Sequence, residues 1–223
     1  MLNLDQRQIG VELHTDMLHE SRFRPLLDAG ATFVIVRETR DGKWLHTDDA
    51  GTYSTQLSTH TPTFLSGIPE EWDYSMTASH AGMIAPEWPY GHAAYFLANL
   101  NEPDPHVRRA VEDDSRHAMD MHTTVPGSMI GRYVSSLESI SDLKRLETDF
   151  LILRGDRTPC FAGPETQLLD SILKLSRLPI LVHGIETGES AALAMETGAR
   201  GVIISSQSLS VELVSEVKNS LGG

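Results

Sequence analysis

Two histidines, His14 and His183, an adjacent cation and acid, Arg37 and Glu38, and a glycine with two serines, Gly184, Ser205 and Ser206, are the residues best suited to chemistry on a small anion. An imidazole changes charge near neutral pH, so either histidine can take up or release a proton, while a guanidinium nearby supplies a fixed positive charge. Glycine lets the main chain approach a ligand closely, and serine adds a hydroxyl to its amide. Beside a helix start, these make a cradle for phosphate. The expected chemistry is proton transfer, with His14 or His183 as the acid-base group across a barrel mouth from Arg37 and Glu38, and a phosphate held by Gly184, Ser205 and Ser206. A plainer reading stands beside it, in which Gly184 only makes a tight turn and the serines cap a final helix, "SVELVSEVKNS".

The two histidines with Glu38 or Asp16 are also capable of binding a divalent metal, but no fixed ligand spacing supports that, and no metal site is assigned. In "HAMDMH", His117, Asp120 and His122 read as an exposed helix end. There is no G-x-S-x-G elbow, no phosphate loop ending in Gly-Lys-Ser/Thr and no H-E-x-x-H. Cys160 is the only cysteine. That excludes an internal disulfide and a thiolate metal cage.

The elements that must position these residues alternate between strand and helix. "LPILVHGIETGESAALAMETGARGVIISS" reads as an apolar strand, a helix capped by Thr187 and stopped by Gly198, and a β-branched strand. "LLDAGATFVIVRE" near the amino terminus echoes "AMETGARGVIISS" near the other end. Strands are expected at about 10–14, 32–37, 62–66, 81–85, 129–134, 149–154, 179–183 and 201–205, with a helix from about Pro164 to Leu175. Buried apolar strands joined by helices predict a parallel sheet. Eight of them in 223 residues predict α/β architecture: one (β/α)8 TIM-barrel domain over residues 1–223, with a long irregular middle region. The structural alternative is a flavodoxin-like open sheet with an inserted loop.

That middle region is polar and proline-broken, with one helix expected to enter at Asp104 and Pro105, and it contains Trp44, Trp72 and Trp88. A composition of 40% hydrophobic and 22% charged residues suits a globular chain. A formal charge of −13 repels polyanions, so nucleic acid is not an expected partner. No run of about 18 apolar residues occurs, and the first ten residues have neither a basic nor an apolar segment. The expectation is therefore a cytoplasmic protein without membrane contact, and homo-oligomer formation is left open.

Three segments, "VELHTDMLHESRFRPLLDAGATFVIVRET", "IGRYVSSLESISDLKRLETDFLIL" and "LPILVHGIETGESAALAMETGARGVIISS", resemble the thiamine phosphate synthase family and its thiazole tautomerase relative, TenI. The resemblance covers about half the chain and implies an eight-stranded barrel that binds a phosphorylated thiazole or a related small product. It also marks departures. Ile35 and Thr39 stand where the family has Gln and Lys, and Ser66 and Gly67 where it has the Asn-Asp pair that helps hold magnesium diphosphate. Pro159, Cys160 and Phe161 occupy the region of its diphosphate-binding lysine. Without those groups the leaving diphosphate lacks its charge stabilisation, so the synthase reaction is not expected, and magnesium is left open as a cofactor with its expected ligands missing. Ser135 replaces the tautomerase's acid-base histidine. Either His14 or His183 has taken over that role, or the chain is a non-catalytic relative that binds a phosphorylated metabolite or a protein partner. The closing segment is also similar to FMN-dependent 2-hydroxy acid oxidases, with His183 at the place of their flavin-contacting lysine. FMN is not expected, because the chain ends before their downstream flavin-phosphate elements.

Overall fold

Strand-forming apolar runs recur along the chain and close on one another in sequence order. The computed structural model describes residues 2–37, 57, 59–66, 82–85, 129–137, 148–154 and 163–222. Within them β1 (Gln8–His14), β2 (Phe33–Arg37), β3 (Thr63–Ser66), β4 (Gly82–Ala85), β5 (Met129–Val134), β6 (Phe150–Leu153), β7 (Ile180–Ile185) and β8 (Gly201–Ile204) form a closed barrel. Every neighbouring pair is parallel, and β8 returns to β1 with Gln8 opposite Gly201 and Val11 opposite Ile204. Closure leaves no sheet edge and removes the open flavodoxin-like arrangement. The short strands β3 and β4, four residues each, are the ones that complete the ring.

Outside the ring lie α1 (Glu20–Ala29), α2 (Gly163–Leu175), α3 (Gly188–Thr197) and α4 (Val211–Ser220). The internal echo is structural. Gly30 at φ 125° and Gly198 at φ 120° end α1 and α3 in the same left-handed turn, and in each case the following alanine amide donates back into the helix, Ala31 to Leu26 and Ala199 to Ala194. Each turn then delivers the chain into a buried strand. Trp44, Trp72, Trp88, the helix expected at Asp104, the "HAMDMH" stretch and Cys160 lie outside the described residues. No described helix is long and apolar enough to cross a membrane.

Strand alternation sorts side chains into two layers. Val11, Leu13, Val34, Val36, Val134, Leu151, Leu153, Val182, Val202 and Ile204 face outward and pack under the helices. Phe33, Ile35, Phe64, Tyr133, Phe150, Ile152, Leu181 and Ile203 fill the barrel interior. Phe64 meets Phe33 and Phe150 edge-on, with ring centres 6.1 and 5.4 Å apart. Such pairs add about 0.5–1.5 kcal/mol each beyond their buried area. Gly10 makes room for this stack, since a Cβ there would come within 2.2 Å of Phe33 Cζ. With Gly10 and Phe33 inside, the same parity turns Glu12, His14 and Arg37 towards the interior at its carboxyl-terminal end.

Gly10→Ala is expected to destabilise the protein by about 1–3 kcal/mol through overpacking, read as a lower urea midpoint. Adding Phe33→Leu should recover part of that loss. A Gly10→Ala single variant as stable as the parent would show that the ring has space to move.

Candidate active site

In "QIGVELH" an acid sits among apolar residues, two positions before the strand tip and in phase with His14. That acid, Glu12, is the centre of the mouth. Its side chain is only 4% exposed, and both carboxylate oxygens are engaged. Oε2 lies 2.8 Å from His183 Nε2 and 3.5 Å from an Arg37 terminal nitrogen, while Oε1 accepts from the Ser206 hydroxyl at 3.3 Å. A charge this deep is tolerable only when it is paired and hydrogen-bonded. Burial alone would raise the Glu12 pKa. The His183 hydrogen bond and the positive charges of His183, Arg37 and Arg154 outweigh it and bring the value down to about 2.

An ionised carboxylate only accepts hydrogen bonds, and this fixes the protons around it. His183 donates through Nε2–H, and the Ser206 hydroxyl proton points to Glu12. Ser206 Oγ, 2.9 Å from His14 Nε2, is therefore the acceptor for His14. Both rings are assigned as Nε2–H tautomers, so in a neutral His183 ring Nδ1 carries the lone pair that can take a proton. The arrangement suits acid-base work: a carboxylate behind an imidazole holds its orientation and stabilises the imidazolium that forms.

His183 reaches Glu12 by strand parity, being in phase with Leu181 and opposite Ile203, both of which fill the barrel interior. Between His183 and Ile185 the register with β8 slips at a bulge, and the residue there is Gly184 at φ 88°, a left-handed conformation that side chains resist. Bulges of this kind re-aim neighbouring side chains beside functional sites. Ser205 and Ser206 follow β8 directly, and both are buried. The Ser205 hydroxyl accepts from the Gln207 amide at 3.2 Å, and the Ser208 hydroxyl donates to Glu186 at 3.2 Å. Neither Ser205 nor Ser206 caps the last helix; Ser210 does, accepting from the Leu213 amide. The first amide of α3, Gly188 N–H, donates to the Glu216 carboxylate of α4 at 2.6 Å.

Further round the mouth, Tyr133 from β5 stands edge-on to His183 with ring centres 6.2 Å apart, and the Arg154 guanidinium, at the tip of β6, lies over the Tyr133 ring at 5.4 Å. The Tyr133 hydroxyl is buried. Ser66 is close enough to favour its ionised form slightly, but the hydroxyl makes no hydrogen bond of normal geometry among the described residues. Burial, and then the Glu12 charge, push the phenol pKa upward, so it remains protonated. A buried donor without a partner costs about 1–3 kcal/mol. Thr15 Oγ1, at the end of β1, is likewise buried and without a partner among the described residues.

Of the residues singled out in the sequence, Arg37, His183 and Ser206 contact Glu12, and His14 joins them through Ser206. His14 is the register neighbour of Arg37 on the adjoining strand, not a group across the mouth from it. Gly184 and Ser205 lie at adjoining strand ends, because Ile185 is paired with Ile204. Glu38 lies outside the described residues. Glu12 and Tyr133 were not among the sequence candidates, and the in-phase acid of "VELH" was the available signal for the first. Among the described residues no group of three His, Cys, Asp or Glu side chains is arranged to hold a metal ion.

No family model matches this chain, and no curated protein matches it in sequence. Solved structures do match its fold. Thiamine phosphate pyrophosphorylase from Pyrococcus furiosus is 14% identical with a TM-score of 0.63, over 98% of this chain and 96% of that one. The tryptophan synthase alpha subunit of Legionella pneumophila str. Paris is 17% identical with a TM-score of 0.65, over 97% and 93%. (S)-3-O-geranylgeranylglyceryl phosphate synthase from Thermoplasma acidophilum, solved in complex with its substrate sn-glycerol-1-phosphate, is 11% identical with a TM-score of 0.62, over 97% and 93%. The TIM-barrel fold is thus shared with thiamine phosphate synthase and with barrels of other names, and at 11–17% identity no family is assigned.

Because the Glu12 pKa is lowered from 4.5 to about 2, its contribution to stability is fully present above pH 4.5 and is lost as the pH falls towards 2. The contribution is about 3 kcal/mol. Glu12→Gln should remove most of it at neutral pH and flatten the stability profile through that acid window, as followed by urea unfolding at a series of pH values. A variant profile parallel to that of the parent would show that Glu12 is not held by these charges.

Proposed function

We propose that this protein is a barrel enzyme that binds a small phosphorylated metabolite at the carboxyl-terminal mouth and transfers a proton on it. The observation that carries the reading is the buried, ionised Glu12 with His183 on one oxygen and the Ser206–His14 pair on the other. His183, backed directly by the carboxylate, is the principal base: its Nδ1 takes a proton from a carbon or nitrogen of the ligand, and the imidazolium then returns it. His14, backed through Ser206, is the second acid-base group. Arg37 compensates Glu12 and orients the anionic ligand. Gly184 and the Ser205 hydroxyl, with the main chain of Ser206, are assigned to the phosphate. The Ser206 side chain is not, because its proton is committed to Glu12. The resemblance of three chain segments to thiamine phosphate synthase and TenI supports a thiazole phosphate or thiamine phosphate type of ligand. The proposed step uses the histidines and does not require magnesium.

A second reading is favoured by the capture of the α3 terminal amide and the Ser206 hydroxyl by internal carboxylates, which leaves fewer donors for an anion. In it the protein binds a phosphorylated metabolite, or a protein partner, without turning anything over.

Calorimetric titration with thiazole phosphate, thiamine phosphate and inorganic phosphate, with and without magnesium, separates these readings when paired with deuterium exchange into the bound ligand. The expected result is binding without magnesium, weakened about tenfold by Ser205→Ala, and exchange slowed about a hundred- to ten-thousand-fold by His183→Ala. Binding without exchange supports the second reading. Full exchange in both His183→Ala and His14→Ala would remove the acid-base assignment.

A further inference from the structure

Two features of the β5–β6 wall have no role in the chemistry above. The buried Tyr133 hydroxyl makes no hydrogen bond of normal geometry among the described residues, although Ser66 lies beside it, and the Arg154 guanidinium makes no ion pair among them. They are also neighbours: the guanidinium lies over the Tyr133 ring, 5.4 Å from its centre. We infer that this wall is a second subsite, in which the Arg154 guanidinium and the Tyr133 hydroxyl hold a carboxylate of the ligand. The inference rests on the phosphate-metabolite reading and moves it from the thiazole phosphate and thiamine phosphate type to phosphorylated ligands that also carry a carboxylate.

The chemistry follows from the donors. A guanidinium presents a planar fork of N–H groups that matches the two oxygens of a carboxylate, and stacking on an aromatic ring fixes the plane of the fork. A protonated phenol adds one O–H donor and cannot repel an anion. The surrounding charges admit one. Arg37 and Arg154 both act on Glu12, whose own oxygens are already taken by His183, Arg37 and Ser206. Glu186, which follows β7, accepts a hydrogen bond from the Ser208 hydroxyl. Arg37 offsets the Glu12 charge, and Arg154 adds a further positive charge beside it in a chain of formal charge −13. His183 stands between the two subsites, with Tyr133 on one side and the β7–β8 ends on the other. A ligand anchored at both would therefore present its middle carbons to the base.

The test compares phosphoglycerate with glycerol phosphate, which has a hydroxymethyl group in place of the carboxylate, using calorimetry on the full chain. Inorganic phosphate and glycerate serve as single-group probes. Phosphoglycerate should bind about tenfold or more tightly than glycerol phosphate. Arg154→Gln and Tyr133→Phe should each shrink that gap while leaving glycerol phosphate binding unchanged. Tyr133→Phe should also leave the thermal midpoint of the unliganded protein equal or higher, because it deletes a buried O–H that no well-formed hydrogen bond compensates. A fall in that midpoint means that the hydroxyl has an internal partner, and it overturns the proposal. Equal affinities for the two phosphates, or a gap that survives both variants, also overturn it. If inorganic phosphate and glycerol phosphate fail to bind while glycerate binds in an Arg154-dependent way, the carboxylate subsite stands and the phosphate reading falls. Failure of both phosphoglycerate and glycerate to bind overturns the subsite.

Discussion

An ionised carboxylate enclosed by protein is an energetic liability unless its surroundings supply what water would have supplied. Glu12 meets this requirement with groups from three other parts of the ring: a guanidinium from β2, an imidazole from β7 and a hydroxyl from the turn after β8. The arrangement makes the barrel mouth specific, since each partner must arrive in register for the charge to be tolerated. It also makes the mouth directional. A fixed negative centre dictates where protons sit on two histidines and one serine, so the chemistry available there follows from a single side chain inside β1.

The architecture was legible because its signal is local. Each strand is an apolar run that a parallel sheet can bury on both faces, and Gly30 and Gly198 mark the same helix-to-strand turn at both ends of the chain. Even the four-residue strands β3 and β4 lie where the sequence places them, although their shortness leaves little pattern to read. The site was less legible because its defining contacts are not local. Strand tips can be found from sequence, and His14, Arg37 and His183 were found that way. Which acid they share depends on register across the barrel, and the acid proved to be two residues inside a strand, where a search of the tips does not look.

The same limit explains the serines. Composition and spacing make Ser205 and Ser206 equal candidates for an anion, yet in three dimensions one hydroxyl is turned to Glu12 and the other accepts from the turn that follows it. The Gly188 amide is a comparable case. A helix start is a general anion site, and here the anion is the protein's own Glu216, a residue whose sequence neighbourhood gives no hint of it. Fold relatives carry widely different names on this scaffold, which fits a division of labour in which the ring is generic and a few side chains at one end decide the chemistry.

The pairing of β8 with β1 has a temporal meaning as well as a spatial one. His183 and Ser206 follow Glu12 by 171 and 194 residues, so a chain emerging from the ribosome holds an acid destined for the interior long before its partners exist. Before the last two strands dock, that acid lacks two of its three partners, and burying its charge is correspondingly costly. Closure of the ring and assembly of the Glu12 cluster are therefore coupled, since the strands that complete the barrel bring His183 and Ser206 to the acid.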